Sequence, residues 1–221
     1  MDENIIVRLE KAGVVTATFR RLDTLKKEKI FRATLSAFAA DTFDRVSLDN
    51  ISLKADVSKG SLIQYFALKE NLLLFVSEIV FDNYQTFLEE YFAAEEPVRV
   101  RERLNQFINS HISYWIKNPD EFRFIVKMIY ENINPLSSDF VNGFFEILKE
   151  RISIIIKCGI ERGEIKRNAN IDSVSGLILA SFSDIMCQAA HSNRELKADD
   201  INRRFNIYLN LIFEGIKTGA Y

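Results

Sequence analysis

The stretch from Ser47 to Lys69, SLDNISLKADVSKGSLIQYFALK, determines how this chain is organised. Ser47 and Ser58 are favourable N-cap residues, and each is followed by apolar side chains at helical spacing. Between the two runs lies Asp56, a residue type that tolerates the left-handed conformation of a sharp turn. The sequence therefore predicts two short helices joined by a tight turn.

The second of these helices is predicted to have one apolar and one polar face. The inner face is assigned to Leu62, Ile63 and Phe66, and the outer face to Lys59, Ser61, Gln64 and Tyr65. A cation, a hydroxyl, an amide and a phenol can hold phosphates and read base edges in a DNA groove. An ordinary helical hairpin with a solvated polar face is the alternative.

From about Lys27 to Leu74 the chain resembles the N-terminal DNA-binding domain of the TetR family of transcriptional regulators. The motif VSKGSLIQYFALKENLL, residues 57–73, carries most of the resemblance. Three positions depart from the family pattern. Thr42 stands where the family usually has Gly before the aromatic residue, Asp56 stands where the turn usually has Gly, and Ile63 replaces a common Tyr. Matching residues before the motif are Ile30, Ala33, Phe38, Phe43, Ser47, Ile51 and Ala55.

The resemblance implies an all-α fold with a three-helix, helix-turn-helix DNA-binding domain followed by a larger helical domain for ligand binding and dimerisation. We assign residues 25–72 and 73–221 to these domains, after an N-terminal extension of residues 1–24. Phosphates are expected near helix N-termini. The implied contacts to double-stranded operator DNA are Ser47, Ser58, Lys59, Ser61, Gln64, Tyr65 and Lys69.

The N-terminal extension gives the weakest structural signal. Its β-branched runs on either side of Gly13 fit a small hairpin, and the remaining residues also allow an irregular helix. Arg20, Arg21, Lys26 and Lys27 form a basic arm that can reach the DNA backbone or the minor groove. A solvated, partly disordered extension is the alternative.

Helical spacing continues through the rest of the chain. A long helix from about Lys69 to Phe92 is predicted to connect the two domains, and Pro97 is placed in the first turn of the helix that ends near Lys117. Further helices are predicted to start at Pro119 and to end at Gly163, and the last two cover about 172–191 and 199–217.

The middle helices are rich in aromatic residues, within a chain that contains 18 Phe. Rings packed helix against helix leave gaps that suit a small apolar or aromatic effector, with His111 or Tyr130 as the polar group that orients it. Each ring can equally be ordinary core. The predicted effector pocket comprises Phe107, His111, Trp115, Phe124, Met128, Phe144, Phe145 and Phe182.

The last two helices carry the predicted homodimer interface. Small residues recur every three or four positions in the first of them, which allows another helix to approach closely. Packing within one chain is the alternative. The predicted interface comprises Ser173, Gly176, Ala180, Ser183, Cys187, Phe205, Tyr208 and Ile212.

Composition narrows the class of protein. The net charge is −2, so bulk charge does not mark a nucleic-acid binder, although residues 1–72 are slightly basic. Two Cys without a CxxC motif, two distant His and no phosphate-binding loop predict no metal, no cofactor and no enzyme activity. We expect a cytoplasmic protein without a membrane-spanning helix, since apolar runs in the sequence are interrupted by polar residues.

The sequence is best interpreted as that of a ligand-responsive transcriptional regulator, most often a repressor in this family. Two alternatives remain open. One is a DNA-binding protein of the same fold whose second domain binds a protein partner and no ligand. The other is an all-α carrier or enzyme in which the N-terminal hairpin is incidental.

Overall fold

The computed structural model describes residues 2–93, 98–130, 137–191 and 198–216, and the described residues form helices joined by short turns. The predicted all-α class is confirmed. From α3 onwards, the predicted helix starts and ends that fall on described residues agree with the structure to within three residues. In chain order the helices are α1 (Glu3–Lys11), α2 (Ala17–Arg20), α3 (Thr24–Ala40), a 3₁₀ turn (Phe43–Arg45), α4 (Leu48–Ala55), α5 (Lys59–Phe66), α6 (Lys69–Ala93), α7 (Val100–Lys117), α8 (Pro119–Tyr130), α9 (Ser137–Glu161), α10 (Ile171–His191) and α11 (Ala198–Ile216).

The chain divides into two compact units. Unit 1 comprises residues 1–87 and 120–140, and unit 2 comprises residues 88–119 and 141–221. Helix α6 begins in unit 1 and ends in unit 2. The predicted first-turn proline Pro97 lies outside the described residues.

The N-terminal residues are helical and packed, which corrects the expectation of a hairpin or a solvated arm. Asp2 and Thr16 accept hydrogen bonds from backbone amides as N-caps of α1 and α2, and Asp23 does the same for α3. Two residues of the basic arm are also paired, because Lys27 is buried and its ammonium donates to Glu3 at 3.0 Å, and Arg20 pairs with Glu10. The buried apolar side chains of this segment are Ile5, Ile6, Leu9, Val14, Val15 and Phe19.

In unit 2, the end of α9 and the turn that follows it contact the first residue of α7. Gly163 has φ +74°, so the predicted glycine that ends this helix is confirmed. Gly159, one turn earlier, lies directly beneath Val100, the first residue of α7. The N-terminus of α7 is capped from the same turn, because Glu164 accepts a hydrogen bond from the Val100 amide at 2.9 Å.

A polar seam, which we call the asparagine seam, runs between α7 and α11. Arg101 donates to Asn210, and Asn202 donates to Asn109, so the two helices are antiparallel. Asn105 lies midway along α7, and its Oδ1 is buried without a hydrogen-bond partner. The seam flanks an apolar row on α11 formed by Ile201, Phe205, Leu209 and Phe213.

Helix α10 is apolar over most of its length. By length and composition alone, Ile171–Ala190 is long and apolar enough to cross a membrane, with a mean hydropathy of 1.3. The core of a folded protein accounts for this composition equally well, because one side of α10 is buried in unit 2. The buried residues are Val174, Ile178, Leu179, Phe182, Ile185 and Met186.

Candidate functional site

The predicted helix-turn-helix is present in unit 1 as α4 and α5. Ser47 accepts from the Asn50 amide as N-cap of α4, and Ser58 accepts from the Ser61 amide at 2.9 Å as N-cap of α5. Asp56 has φ 57° and ψ 47°, so the predicted left-handed turn residue is confirmed. The Val57 amide closes the turn by donating to the Ser52 carbonyl.

The faces of α5 differ from the prediction at two positions. Tyr65 is only 6% exposed and packs against Phe19, with ring centroids 5.9 Å apart, whereas Ile63 is 49% exposed. The buried set Leu62, Tyr65 and Phe66 follows the i, i+3, i+4 spacing of one helix face, so Tyr65 belongs to the core of unit 1. The assignment of Tyr65 to the outer face is therefore wrong, and Ile63 takes that position.

The exposed side of α5 keeps the predicted polar groups. The Lys59 ammonium pairs with the Asp49 carboxylate at 2.9 Å, and both side chains are more than half exposed. Exposed pairs of this kind stabilise a fold by only ~0–1 kcal/mol, so Lys59 can exchange Asp49 for a phosphate at little cost. The Ser58 and Ser61 hydroxyls are 2.8 Å apart. The Gln64 carboxamide is exposed, as base readout requires.

Lys69 has a structural partner that the sequence did not indicate. Its ammonium donates to the Phe43 carbonyl at 2.7 Å, approaches the carbonyls of Asp44 and Val46 at 3.4 Å, and lies 4.4 Å from the centroid of the Phe43 ring. The side chain thus ties the start of α6 to the 3₁₀ turn before α4. A phosphate contact by this ammonium would have to replace these bonds.

His111 lies at the centre of the aromatic side chains in unit 2. It is fully buried, with Phe107 at 4.2 Å and Phe182 at 5.7 Å between ring centroids. Burial lowers the pKa of His111 to about 4, partly opposed by the 2.6 Å hydrogen bond to the Phe107 carbonyl. The imidazole is therefore neutral at pH 7, and its Nδ1 donates to that carbonyl.

The remaining predicted pocket residues divide between the units. Phe124 and Met128 are buried in unit 1, whereas Trp115, Phe144 and the half-buried Phe145 belong to unit 2. An open surface depression with a volume of about 570 Å³ is present elsewhere, at the first turn of α11. It is lined by Ala198, Asp199, Asp200 and Arg203, so none of the predicted pocket residues lines it.

Two guanidinium groups lie beside the aromatic residues of unit 2. Arg151 lies 5.3 Å from the ring centroid of Phe92, and Arg103 lies 5.7 Å from the same centroid and 4.5 Å from that of Tyr91. The Nε of Arg151 is buried and has no hydrogen-bond partner. A buried unpaired donor on a cation is costly, and an anionic oxygen would satisfy it. Sequence reasoning missed this feature, which depends on contacts between α6, α7 and α9.

The predicted small-residue face of α10 is accessible in the single chain. A Cβ added at Gly176 would meet no heavy atom within 4 Å, and Ala180 is exposed beside the exposed Leu177. On α11 the exposed apolar residues are Ile207 and Leu211. Ser173 is exposed, and Ser183, Cys187, Tyr208 and Ile212 are half-buried.

Phe205 must be removed from the predicted interface. It is 1% exposed, and its ring packs 6.1 Å from that of Phe182, within the core of unit 2. The apolar face of α11 is wider than one stripe, and its exposed part lies at Ile207 and Leu211.

Neither cysteine forms a disulfide, and Cys158 and Cys187 are half-buried. Within the four described ranges, no group of three or more His, Cys, Asp or Glu side chains is arranged to hold a metal ion.

Comparisons with known proteins agree with this geometry. Residues 30–76 match the model of the N-terminal domain of bacterial regulatory proteins of the tetR family. A relative from Bacillus subtilis (strain 168), described as the uncharacterized HTH-type transcriptional regulator YerO, is 24% identical over 203 residues, which cover 88% of this chain and 67% of the relative.

Solved structures share the fold. A TetR family transcriptional regulator from Chloroflexus aurantiacus has a TM-score of 0.70 at 19% identity, over 93% of this chain and 99% of that one. FadR from Bacillus subtilis in complex with stearoyl-CoA has a TM-score of 0.67 at 20% identity, over 86% and 99%. Together with the capped helix-turn-helix of unit 1, these matches show that residues 30–76 form a DNA-binding domain of the TetR family of bacterial transcriptional regulators, within a chain that has the fold of such regulators.

Proposed function

We propose that this chain is a homodimeric repressor that binds operator DNA through α5 and leaves the DNA when a small effector binds in unit 2. The exposed side of α5 is the observation that carries the proposal. It presents Lys59 at the helix start and Gln64 in the last turn, on a helix whose opposite side is fixed in the core. A lysine ammonium can hold a phosphate, and a glutamine carboxamide can read a base edge.

A dimer would place two copies of α5 in successive major grooves, ~34–36 Å apart. The exposed apolar side chains Leu177, Ile207 and Leu211, beside the small-residue face of α10, support such a dimer. An effector can favour a dimer conformation in which the two copies of α5 lie at another distance. The affinity for DNA then falls by the factor by which the effector binds that conformation more tightly than the DNA-binding one. The proposed binding to operator DNA implies a cytoplasmic location.

The composition of unit 2 supports an effector that is apolar or aromatic and also carries an anionic group. The rings around His111 suit an apolar body, and a neutral imidazole supplies a polar contact without charge. The unpaired Nε of Arg151 supplies the site for the anion. The stearoyl-CoA complex of the structurally similar FadR supports the same class of molecule.

The DNA-binding part is tested with a duplex selected by the wild-type protein from a random pool. Lys59→Ala is expected to weaken binding to every sequence and to reduce the salt slope by about one. Gln64→Ala is expected to change which bases are preferred. Lys157→Ala, which removes an exposed lysine from α9 in unit 2, is the matched control and should bind as the wild type does. Unchanged binding by both α5 variants would show that α5 does not read the DNA.

The effector part is tested with long-chain fatty acids, aromatic carboxylates and the corresponding uncharged alcohols. A carboxylate that binds the folded state should raise Tm, because saturation at ~100 Kd stabilises by ~2.7 kcal/mol. It should also release the selected duplex and change the emission of the buried Trp115 in unit 2. Arg151→Met should remove the preference for carboxylate over alcohol. A set of ligands without any effect would favour the alternative in which unit 2 binds a protein partner.

A further inference from the structure

The C-terminal end of α5 is held by residues outside the helix-turn-helix. The last carbonyls of a helix have no amide donor within it, so other donors must satisfy them. The Thr16 amide donates to the Tyr65 carbonyl at 2.9 Å, and the Thr16 hydroxyl donates to the Gln64 carbonyl at 3.1 Å. Asn71 donates to the Phe66 carbonyl at 2.7 Å. Three successive carbonyls are thereby fixed.

An aromatic cluster reinforces this attachment from the same segment. Phe19, on α2, is fully buried and packs against three rings, with centroid distances of 4.9 Å to Phe66, 5.2 Å to Phe75 and 5.9 Å to Tyr65. The ring therefore joins the last turn of α5 to α6. Edge-to-face pairs are directional, so the cluster resists rotation of α5 about its axis.

The N-terminal segment is itself anchored to other helices of unit 1. Arg8 pairs with Glu78 of α6 at 2.9 Å, and Glu3 pairs with the buried Lys27 of α3 at 3.0 Å. The apolar side of α1 is buried as well. We call residues 3–20 the N-terminal brace, since both of its ends are fixed and its middle bonds to α5.

We propose that the N-terminal brace positions the DNA-reading helix, and that Thr16 is the positioning residue through which it acts on Gln64. The inference rests on the proposed role of α5 in binding DNA. Gln64 lies in the last turn of α5, where a helix frays when its carbonyls lose their partners. A frayed turn must be ordered again on binding, and the cost of that ordering appears as lost affinity. Thr16 thus controls base readout without a DNA contact of its own.

Thr16→Val tests the proposal, because it keeps the shape and removes the hydroxyl, which donates to the Gln64 carbonyl and also accepts from the Phe19 amide as the N-cap of α2. Both hydrogen bonds belong to the attachment of the brace. With the duplex selected by the wild-type protein, the variant should bind roughly 3- to 10-fold more weakly, a loss of the order of one or two hydrogen bonds. The slope of affinity against salt should not change, since no phosphate contact is lost. Thr16→Ser, which keeps the hydroxyl, should restore binding. Thr18→Val is the matched control, since Thr18 is exposed on the same helix α2.

A double-mutant cycle separates positioning from general stability. If Thr16 acts through Gln64, Thr16→Val in the Gln64→Ala background should weaken binding less than about twofold. Full additivity would overturn the proposal, and so would a salt slope lowered by about one, which indicates a direct phosphate contact. Unchanged affinity of Thr16→Val would overturn it as well.

Hydrogen exchange of α5 gives a readout that does not require DNA. Amides of residues 59–68 should exchange at least about threefold faster in Thr16→Val and at the wild-type rate in Thr18→Val, as expected for local opening. Equal exchange rates in Thr16→Val and the wild type would overturn the proposal that the brace holds α5. A wild-type protein that selects no duplex overturns the proposed function, while this measurement still decides whether Thr16 holds α5. Should Thr16→Val fail to fold, Arg8→Ala replaces it, since the exposed pair of Arg8 with Glu78 anchors the brace to α6.

Discussion

Replacement of Gly159 by Ala should destabilise unit 2, although the same change stabilises most helices. A Cβ at this position would lie 2.4 Å from Val100 Cγ2 and 3.0 Å from Ile165 Cδ1. Apolar carbons prefer separations of ~3.5–4.0 Å, so Val100 would have to move by about 1 Å. Both neighbours are buried, and the Val100 amide is also bonded to Glu164.

Overpacking of this kind costs ~1–3 kcal/mol, and the 2.4 Å contact places Gly159→Ala in the upper part of that range. Against this, Ala gains ~1 kcal/mol over Gly in a helix interior. The free energy of unfolding should therefore fall by about 1–2 kcal/mol. Urea titration followed by the emission of Trp115, which is buried in unit 2, measures the change.

Removal of the clashing methyl groups provides the decisive comparison. Val100→Ala in the Gly159→Ala background should recover stability relative to the sum of the two single changes, a coupling that a double-mutant cycle measures. Gly215→Ala in α11 is the matched control, because a Cβ there meets no heavy atom within 4 Å. A Gly159→Ala protein as stable as the wild type, or a cycle without coupling, would refute the packing argument.

Two further predictions concern pH and assembly. The pKa of His111 is about 4 in the folded chain and ~6.5 when unfolded, so below pH 6.5 the unfolded chain binds a proton that the folded chain does not. The free energy of unfolding should fall by up to ~3 kcal/mol between pH 6.5 and 4, and His111→Gln should remove that part of the slope in urea titrations at each pH. Gly176→Leu and Ala180→Leu should force apart two chains that pack through α10, at ~1–3 kcal/mol for each site, and Leu211→Glu should place a charge on the same face. Sedimentation should then show monomers, whereas dimers that persist in all three variants would contradict the assignment of this face.

The helix-turn-helix could be predicted because its signals are local. Ser47, Ser58 and Asp56 each act within four residues of their own position, through a cap or a turn. The helix boundaries after α5 were equally accessible, since prolines, glycines and caps mark them.

The residues that form the buried face of α5 could not be determined from the same local signals. Ile63 and Tyr65 can each occupy the inner side of a short helix, and the choice depends on which ring or chain lies opposite. That partner is Phe19, more than 40 positions earlier, in a segment whose β-branched residues favoured a hairpin. The three caps Asp2, Thr16 and Asp23, together with the spacing of Ile5, Ile6 and Leu9, were the helical signals that this segment offered.

The candidate effector site shows the same limit. Its aromatic composition was visible in the sequence, whereas the environment of Arg151 arises from Phe92 on α6, and such a contact has no local pattern. Lys69 is similar, because its acceptors lie 23 to 26 residues earlier. A charged side chain at a helix start is compatible with both a phosphate and a carbonyl, and only the folded chain distinguishes them.

The asparagine seam has a consequence for how α11 can move. Asn202, Asn206 and Asn210 recur every four residues, and so do Arg101, Asn105 and Asn109 on the antiparallel α7. Sliding α11 along α7 by one turn, about 5.4 Å, would again bring an amide opposite an amide or a guanidinium. The asparagine seam therefore determines which sides of the two helices meet, but it distinguishes poorly between positions of α11 that are one turn apart. The position along the axis must be set by the buried Phe205, Leu209 and Phe213, so a change in their packing is the event that would let α11 shift by a turn.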